Sequence, residues 1–324
     1  MKAVVYDKFG LTGVLEVREI EKPLPRDNEV LIKVYAASIN SWDWDLLRGK
    51  PFLTRLDGGL LKPKYNILGA DVSGQIEAIG NKVKHLQIGN EVFGDLSGCG
   101  WGGFGEYVCA DENVLALKPA HMPFDEAASI PQAAVLALQG LRYGGEIQKG
   151  QKVLINGAGG GVGTFAIQMA KSFGAEVTAV DRAEKRDIML SAGADHVIDY
   201  ILENVIEYGQ RYDLILDVMA TRSIFDYMRI LDSKGTYVLI GGATARILQF
   251  ALLGPLVSRI TDRKIGILVH KPDKQDLNVI NKLYESGSIK PMIDKQFPLH
   301  EVADALRYYG DGRTRGKIVI TMEQ

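Results

Sequence analysis

The sequence predicts an α/β protein in which a β-rich region adjoins a doubly wound parallel sheet. Three observations predict it. From about residue 152 apolar strands alternate with helical stretches, the pattern of a parallel sheet covered on both faces. Those strands are unbroken apolar runs, so both of their faces are buried. Residues 1 to about 122 hold shorter apolar or alternating stretches separated by turns.

In that first region residues 1–6, 15–20, 29–36, 72–79 and 91–93 read as strands, with turns such as Pro25-Arg26-Asp27-Asn28 between them. Residues 95–105 (DLSGCGWGGFG) are too glycine-rich for regular structure and read as a loop. The style changes near Pro123. Residues 125–147 are rich in Ala and Leu and predict a helical region with Pro131 near its centre. Strands follow at 152–155, 177–180, 196–198, 214–218, 236–240 and 265–269, with helices at 162–173 and 184–192. Near Lys271 this pattern ends. Residues 274–286 and 299–309 predict helices, and 317–321 a last strand.

Composition bounds the function. The chain has 324 residues, enough for about two domains. Its net charge of −2 gives no electrostatic footprint for nucleic acid or for an acidic membrane surface, so neither is expected as a partner. No run of about 18 apolar residues exists. The start MKAVVYDKFG lacks the apolar core of a signal peptide, and two cysteines fit a reducing compartment, so a cytoplasmic protein is expected. There are 36 glycines, where average usage gives roughly 23. No G-X-Y period accounts for them, so the excess is local.

Much of it lies at 157–163. The strand 153–155 runs into Asn156-Gly157-Ala158-Gly159-Gly160-Gly161-Val162-Gly163 and then a helix, the context of a dinucleotide fingerprint. Glycine permits a tight turn and close approach of backbone to a pyrophosphate. The helix start then presents unpaired N–H groups and a positive dipole end. Gly157, Gly160, Gly161, Val162 and Gly163 are therefore cofactor-binding candidates, with Gly163 letting the helix pack against the sheet. Asp181 ends the next strand, where a carboxylate receives ribose hydroxyls and repels a 2′-phosphate, an argument for NAD(H). Arg182 and Lys185 are close by and can hold a phosphate instead, which keeps NADP(H) open. Tyr200 ends the third strand, beside the adenosine. Gly241 and Gly242 follow the fifth strand, where backbone can approach a nicotinamide ring.

The whole chain resembles the medium-chain dehydrogenase/reductase superfamily, most closely its zinc-independent, quinone-oxidoreductase-like branch. AASINSWDWDLLRG (36–49) resembles the Asn-x-x-Asp segment of that branch, and ILGADVSGQIEAIG (67–80) its G-x-D-x-x-G strand. FGEYVCADENVLALKP (104–119), INGAGGGVGTFAIQMAK (155–171), GADHVIDY (193–200) and GKIVIT (316–321) follow in the family's order. The resemblance implies a GroES-like catalytic domain of residues 1–122 and 272–324 around a Rossmann domain of residues 123–271. It places the active site in the cleft between them, and implies a homodimer paired through the sheet edge at 265–269. The apolar stretch 247–260 either joins that interface or lines the substrate pocket.

Zinc relatives carry Cys where this chain has Asn40 and a His-Glu pair where it has Ala70-Asp71. Asn40 and Ala70 cannot supply the three ligands of a catalytic zinc. Cys99 and Cys109 lack the partners of a structural zinc lobe, and the loop at 95–105 takes its place with flexible backbone. The expectation is no metal. Hydride addition to a plain ketone builds a localised alkoxide that calls for a Lewis acid, whereas a quinone or an enone spreads the charge over a conjugated system.

The expected activity is therefore hydride transfer from NAD(P)H to a small electrophile, a quinone or an activated alkene, without zinc. Asn40 can donate its amide N–H to a carbonyl oxygen, and Asp43 can orient a neighbour or a water, or cap a helix. Trp42 and Trp44 offer a flat wall for a ring, although at that spacing one of them is core. Gln139 is a further polar candidate in the substrate pocket. Leu136 stands where many relatives have Thr. Residues 51–64 read as a loop with apolar anchors that shapes the site. Two other readings stand beside this one: a zinc-free alcohol dehydrogenase or carbonyl reductase, and a non-catalytic nucleotide-binding protein.

Overall fold

Stretches with one apolar face pair antiparallel in the first part of the chain, and stretches apolar on both faces pair parallel in the middle. In the computed structural model, residues 1–322 are described. The strands are β1 (Lys2–Val5), β2 (Glu16–Glu19), β3 (Glu29–Ser38), β4 (Asp71–Ile79), β5 (Glu91–Asp95), β6 (Tyr107–Asp111), β7 (Leu115–Leu117), β8 (Lys152–Asn156), β9 (Glu176–Asp181), β10 (His196–Asp199), β11 (Tyr212–Asp217), β12 (Leu231–Leu239), β13 (Lys264–Ile267), β14 (Ile293–Pro298) and β15 (Lys317–Thr321). The helices are α1 (Ser41–Arg48), α2 (Thr54–Gly58), α3 (Phe124–Ala128), α4 (Pro131–Arg142), α5 (Gly161–Ser172), α6 (Arg186–Ser191), α7 (Ile224–Ile230), α8 (Thr244–Ile260), α9 (Lys274–Glu285) and α10 (Val302–Gly310).

The chain divides into two units. The first holds Met1–Val135, Lys271–Glu285 and Ile293–Gln324, and the second Leu136–His270 with Ser286–Met292. The first division thus falls inside α4 rather than at Pro123. The helical region expected over 125–147 is two helices. Pro131 breaks it because proline lacks an N–H and is best placed in the first turn of a helix, where it starts α4.

In the first unit β14, β15, β3, β4, β5 and β7 form one sheet with β6 paired to β3, and β1–β2 is a separate hairpin. β3 and β4 run antiparallel, with Ser38 opposite Asp71, and β15 pairs with the end of β3. A core of Val30, Ile32, Leu46, Leu68, Val72, Phe104 and Ile318 lies within it. β14 was not anticipated: its residues are mostly half-exposed and show no apolar alternation. The loop at 95–105 is anchored rather than flexible. Trp101 and Phe104 are buried in the core, and Gly103 N and Phe104 N donate to Gly69 O and Leu68 O at 2.9 Å.

In the second unit β10-β9-β8-β11-β12-β13 form a wholly parallel sheet. This is the 3-2-1-4-5-6 order of a doubly wound sheet, which reverses direction between β8 and β11. Leu154, Ile215, Tyr237 and Leu239 fill its core. The apolar stretch 247–260 is most of a 17-residue helix, α8, lying on β13.

Candidate functional site

The strongest local feature is the turn after β8. Gly157 has φ +79°, the left-handed region that L side chains avoid. Gly160 precedes α5 with open space around it: a Cβ there would meet only Gly157 O, at 3.6 Å. Gly163 lies against the Ala158 backbone, so a side chain would push α5 off the turn. No side chain caps α5, and the N–H groups of Gly161, Val162 and Gly163 belong to the first turn, which has no intrahelical acceptors. The turn stands at the carboxyl end of β8, beside the switch point of the sheet, where open α/β sheets bind ligands.

The structure gathers Asp181, Arg182, Lys185 and Tyr200 next to it. Asp181 Oδ2 accepts from Gly159 N at 3.0 Å and Oδ1 from Arg182 N at 2.9 Å, with Lys185 Nζ 3.6 Å from Oδ1. Arg182 Nε donates to Tyr200 Oη at 2.8 Å. Gly242, at φ +134°, faces the Ala220 backbone, and Ala220 N donates to Gly241 O at 3.0 Å. These two glycines are required by pairing of the loops that follow β11 and β12.

A network that sequence reading missed underlies the switch point. Asn156 Nδ2 donates to Asp217 Oδ1 at 2.7 Å, and Tyr237 Oη donates to Asp217 Oδ2 at 2.7 Å. Burial raises the Asp217 carboxyl while these donors oppose the shift. The ends of β8, β11 and β12 are thereby tied together directly below the glycine turn.

The first unit holds a buried polar cluster. Asn40 stands between the end of β3 and α1. Its Oδ1 accepts from Lys317 Nζ at 2.6 Å, and its Nδ2 donates to Asp71 Oδ2 at 2.9 Å. Asp71 also accepts from Gln132 N at 3.0 Å and Ser38 Oγ at 3.2 Å, with Lys317 Nζ 3.5 Å away. Burial pushes the Asp71 carboxyl up and the Lys317 ammonium down, and their mutual attraction draws each back. Lys317 and Asp71 were not picked out as site residues. Their signal was a single lysine in the otherwise apolar stretch GKIVIT, which must find an acceptor once buried.

Of the two roles open to Asp43, orienting a group in the site or capping a helix, the side chain takes the capping one. Its Oδ2 accepts from Asn40 N and its Oδ1 from Gly69 N, both at 2.8 Å, and the side chain is fully buried. It closes the capping box of α1 and ties that helix to the chain before β4. Burial pushes its carboxyl up to about 7, against the two backbone donors. Trp44 likewise leaves the candidate pocket: its ring packs against Gly310 and under the Arg48 guanidinium, 4.6 Å from the ring centroid. Trp42 is exposed, and Gln139 and Leu136 lie half-buried on α4.

Among the described residues no group of three or more His, Cys, Asp or Glu side chains is placed to hold a metal ion. Cys99 and Cys109 are free thiols, each pushed up to about 11 by burial. Among the described residues no helix is long and apolar enough to cross a membrane.

Comparison with known proteins matches these features. The alcohol dehydrogenase GroES-like domain matches residues 26–120, the zinc-binding dehydrogenase domain residues 192–320, and the alanine dehydrogenase/PNT C-terminal domain residues 135–225. The chain is 32% identical over 331 residues to 2-methylene-furan-3-one reductase of Solanum lycopersicum, covering 99% of this chain and 79% of that one. It is 32% identical over 333 residues to the chloroplastic NADPH-dependent alkenal/one oxidoreductase of Arabidopsis thaliana, with the same coverage. The quinone oxidoreductase of Coxiella burnetii superposes with a TM-score of 0.89 at 28% identity, over 100% of this chain and 99% of that one.

A GroES-like domain joined to a doubly wound sheet with a glycine turn at its switch point defines a nucleotide-dependent dehydrogenase or reductase. The chain belongs to the medium-chain dehydrogenase/reductase superfamily, in its quinone-oxidoreductase-like branch.

Proposed function

We propose that the protein is an NAD(P)H-dependent oxidoreductase that delivers hydride to a quinone or to an α,β-unsaturated carbonyl compound, without zinc. The observation behind it is the uncapped start of α5 behind the Gly157–Gly163 turn, in a chain whose relatives are named as quinone and alkenal/one reductases. The turn and the α5 N–H groups fit a pyrophosphate, and the bound nicotinamide supplies the hydride.

Asn40 supplies the polar contact for the acceptor. Lys317 occupies its Oδ1 and so fixes the amide orientation; one N–H goes to Asp71. The second N–H is left to donate to the oxygen that gains charge in an enolate or hydroquinone anion. A neutral donor suffices there because conjugation spreads that charge. Asp43 positions Asn40 by holding its backbone N–H. Of the remaining candidates in the first unit, Trp42 is exposed on α1 and offers an apolar face.

For the cofactor, the buried Asp181 carboxylate favours NAD(H): it already accepts two backbone N–H groups, and a 2′-phosphate would meet a second negative charge there. Arg182 is held by Tyr200 at the rim. The protein also pairs as a homodimer in this proposal, and its two cysteines, both reduced, suit the cytoplasm.

Purified protein with NADH or NADPH and a panel of quinones, enones and ketones tests the activity by loss of reduced-nicotinamide absorbance. Turnover of quinones or enones that persists with a chelator is expected. Cofactor binding with no acceptor reduced would leave a nucleotide-binding protein, and loss of activity on chelation would sink the zinc-free reading. Asp181→Ala is expected to shift the NADH/NADPH ratio of kcat/KM toward NADPH by about tenfold or more, the value of one charge-assisted contact. An unchanged ratio would show that Asp181 does not read the ribose.

A further inference from the structure

Residues 50–64, between α1 and β4, expose their large apolar side chains. Phe52, Leu53, Leu56, Leu60 and Leu61 all face solvent, Leu61 at 95% exposure, while within this stretch Gly58 and Pro63 are buried; Leu68 and Ala70, next to β4, belong to the core. The arrangement is held rather than loose. Arg55 Nε donates to Gly49 O at 3.0 Å and its guanidinium stacks 4.5 Å from the Phe9 ring centroid. Lys64 N donates to Gly58 O at 2.8 Å, and Gly58 packs on Leu46. Five large apolar side chains exposed within ten residues of chain are more than a soluble chain usually leaves uncovered.

Charge identifies the cover. Residues 50–64 contain the cations Lys50, Arg55, Lys62 and Lys64 and one carboxylate, Asp57, in a chain whose net charge is −2. The near-neutral total hides this local excess. Lys50 and Lys62 are exposed beside Phe52 and Leu61. Apolar side chains projecting from a short tip, bordered by lysines, are the pattern that enters the headgroup boundary of an anionic bilayer: leucines reach the acyl layer and the ammonium groups stay at the phosphates. We propose that the tip at residues 52–61 docks the protein reversibly on anionic lipid bilayers. Residues 51–64, expected as a loop whose apolar side chains anchor it and shape the site, instead hold the short helix α2 and turn those side chains outward, so the proposal does not rest on the enzymatic reading.

Flotation with vesicles of phosphatidylcholine alone, or with about a third phosphatidylglycerol, tests it. Wild-type protein is expected to float with the anionic vesicles, not with the neutral ones, and to be released by raising salt. Leu60→Ser with Leu61→Ser is expected to weaken binding at least about tenfold, since each leucine loses its apolar insertion. Lys50→Glu with Lys62→Glu is expected to weaken it about 25-fold or more, about fivefold or more per residue changed. All four side chains are exposed, so an unchanged thermal midpoint identifies folded variants. No flotation on anionic vesicles, or flotation that both pairs leave unchanged, would overturn the proposal. So would self-association abolished by the leucine pair without vesicle binding, which would make a second copy the occupant.

Discussion

At the scale of single residues, buried charge fixes the geometry of the polar cluster in the first unit. Asn40 is fixed by a cation on one side and a carboxylate on the other, so its amide cannot flip without setting Nδ2 against Lys317. Removing it deletes one preorganised donor. Asn40→Ala is expected to lower kcat by about 10²-fold with a smaller change in KM, the cost of one oxyanion donor; equal losses in kcat for plain ketones and enones, or no loss, would remove Asn40 from the reaction. Asp43 makes a pH prediction. Its carboxyl titrates at about 7 in the fold and near 4 in the unfolded chain. The folded state therefore favours the protonated form, and the group's contribution to stability falls as pH rises between those values. Asp43→Asn keeps an acceptor and cannot ionise. The destabilisation it causes relative to wild type, read from urea unfolding, is expected to be larger at pH 5 than at pH 8. Equal values at both pH values would mean that Asp43 is ionised throughout.

At the scale of elements, the glycine turn joins sequence to function most directly. Gly163 is required by the Ala158 backbone at its side. Gly163→Ala is expected to cost about 1–3 kcal/mol by overpacking and to raise the KM for the nicotinamide cofactor, because α5 and its N–H groups move off the turn. A variant with wild-type KM and wild-type thermal stability would show that the helix tolerates the methyl group. This turn was legible because every part of it is local: a strand, the glycines, a helix and an acidic strand end within about thirty residues. The parallel strands were legible for the same reason, being unbroken apolar runs. The buried cluster was not. Lys317 meets Asn40 and Asp71 across 277 and 246 residues of chain, and a lone lysine in a strand does not announce its partners. β14 was hidden by its polar, half-exposed residues, and the anchoring of the 95–105 loop by the distance between Phe104 and Leu68. For Asp43 the sequence leaves two roles open, because an Asn-x-x-Asp spacing serves a catalytic segment and a capping box equally well.

At the scale of the whole molecule, one apolar surface of the second unit asks for a partner. α8 buries Phe250 and sets Gly254 against Ile265 of β13. Its other side exposes Leu248, Leu252, Leu256 and Ile260, spaced four residues apart as one stripe. β13 is the last strand of its sheet among the described residues, and on its outer edge Ile265 N donates to Ser258 Oγ of α8 at 3.0 Å, so α8 and its stripe lie directly beside that edge. A two-fold axis beside that edge would extend the sheet across two copies and cover both stripes with each other, an isologous contact that closes without forming filaments. Sedimentation velocity is expected to give twice the monomer mass for wild type, and the monomer mass for Leu252→Asp with Leu256→Asp. The charges act through the interface alone, because both side chains are exposed in the monomer and each buried carboxylate would stay unpaired. A wild type that sediments as a monomer, or a doubly charged variant that stays dimeric, would place the contact elsewhere and leave the α8 stripe without a role in assembly.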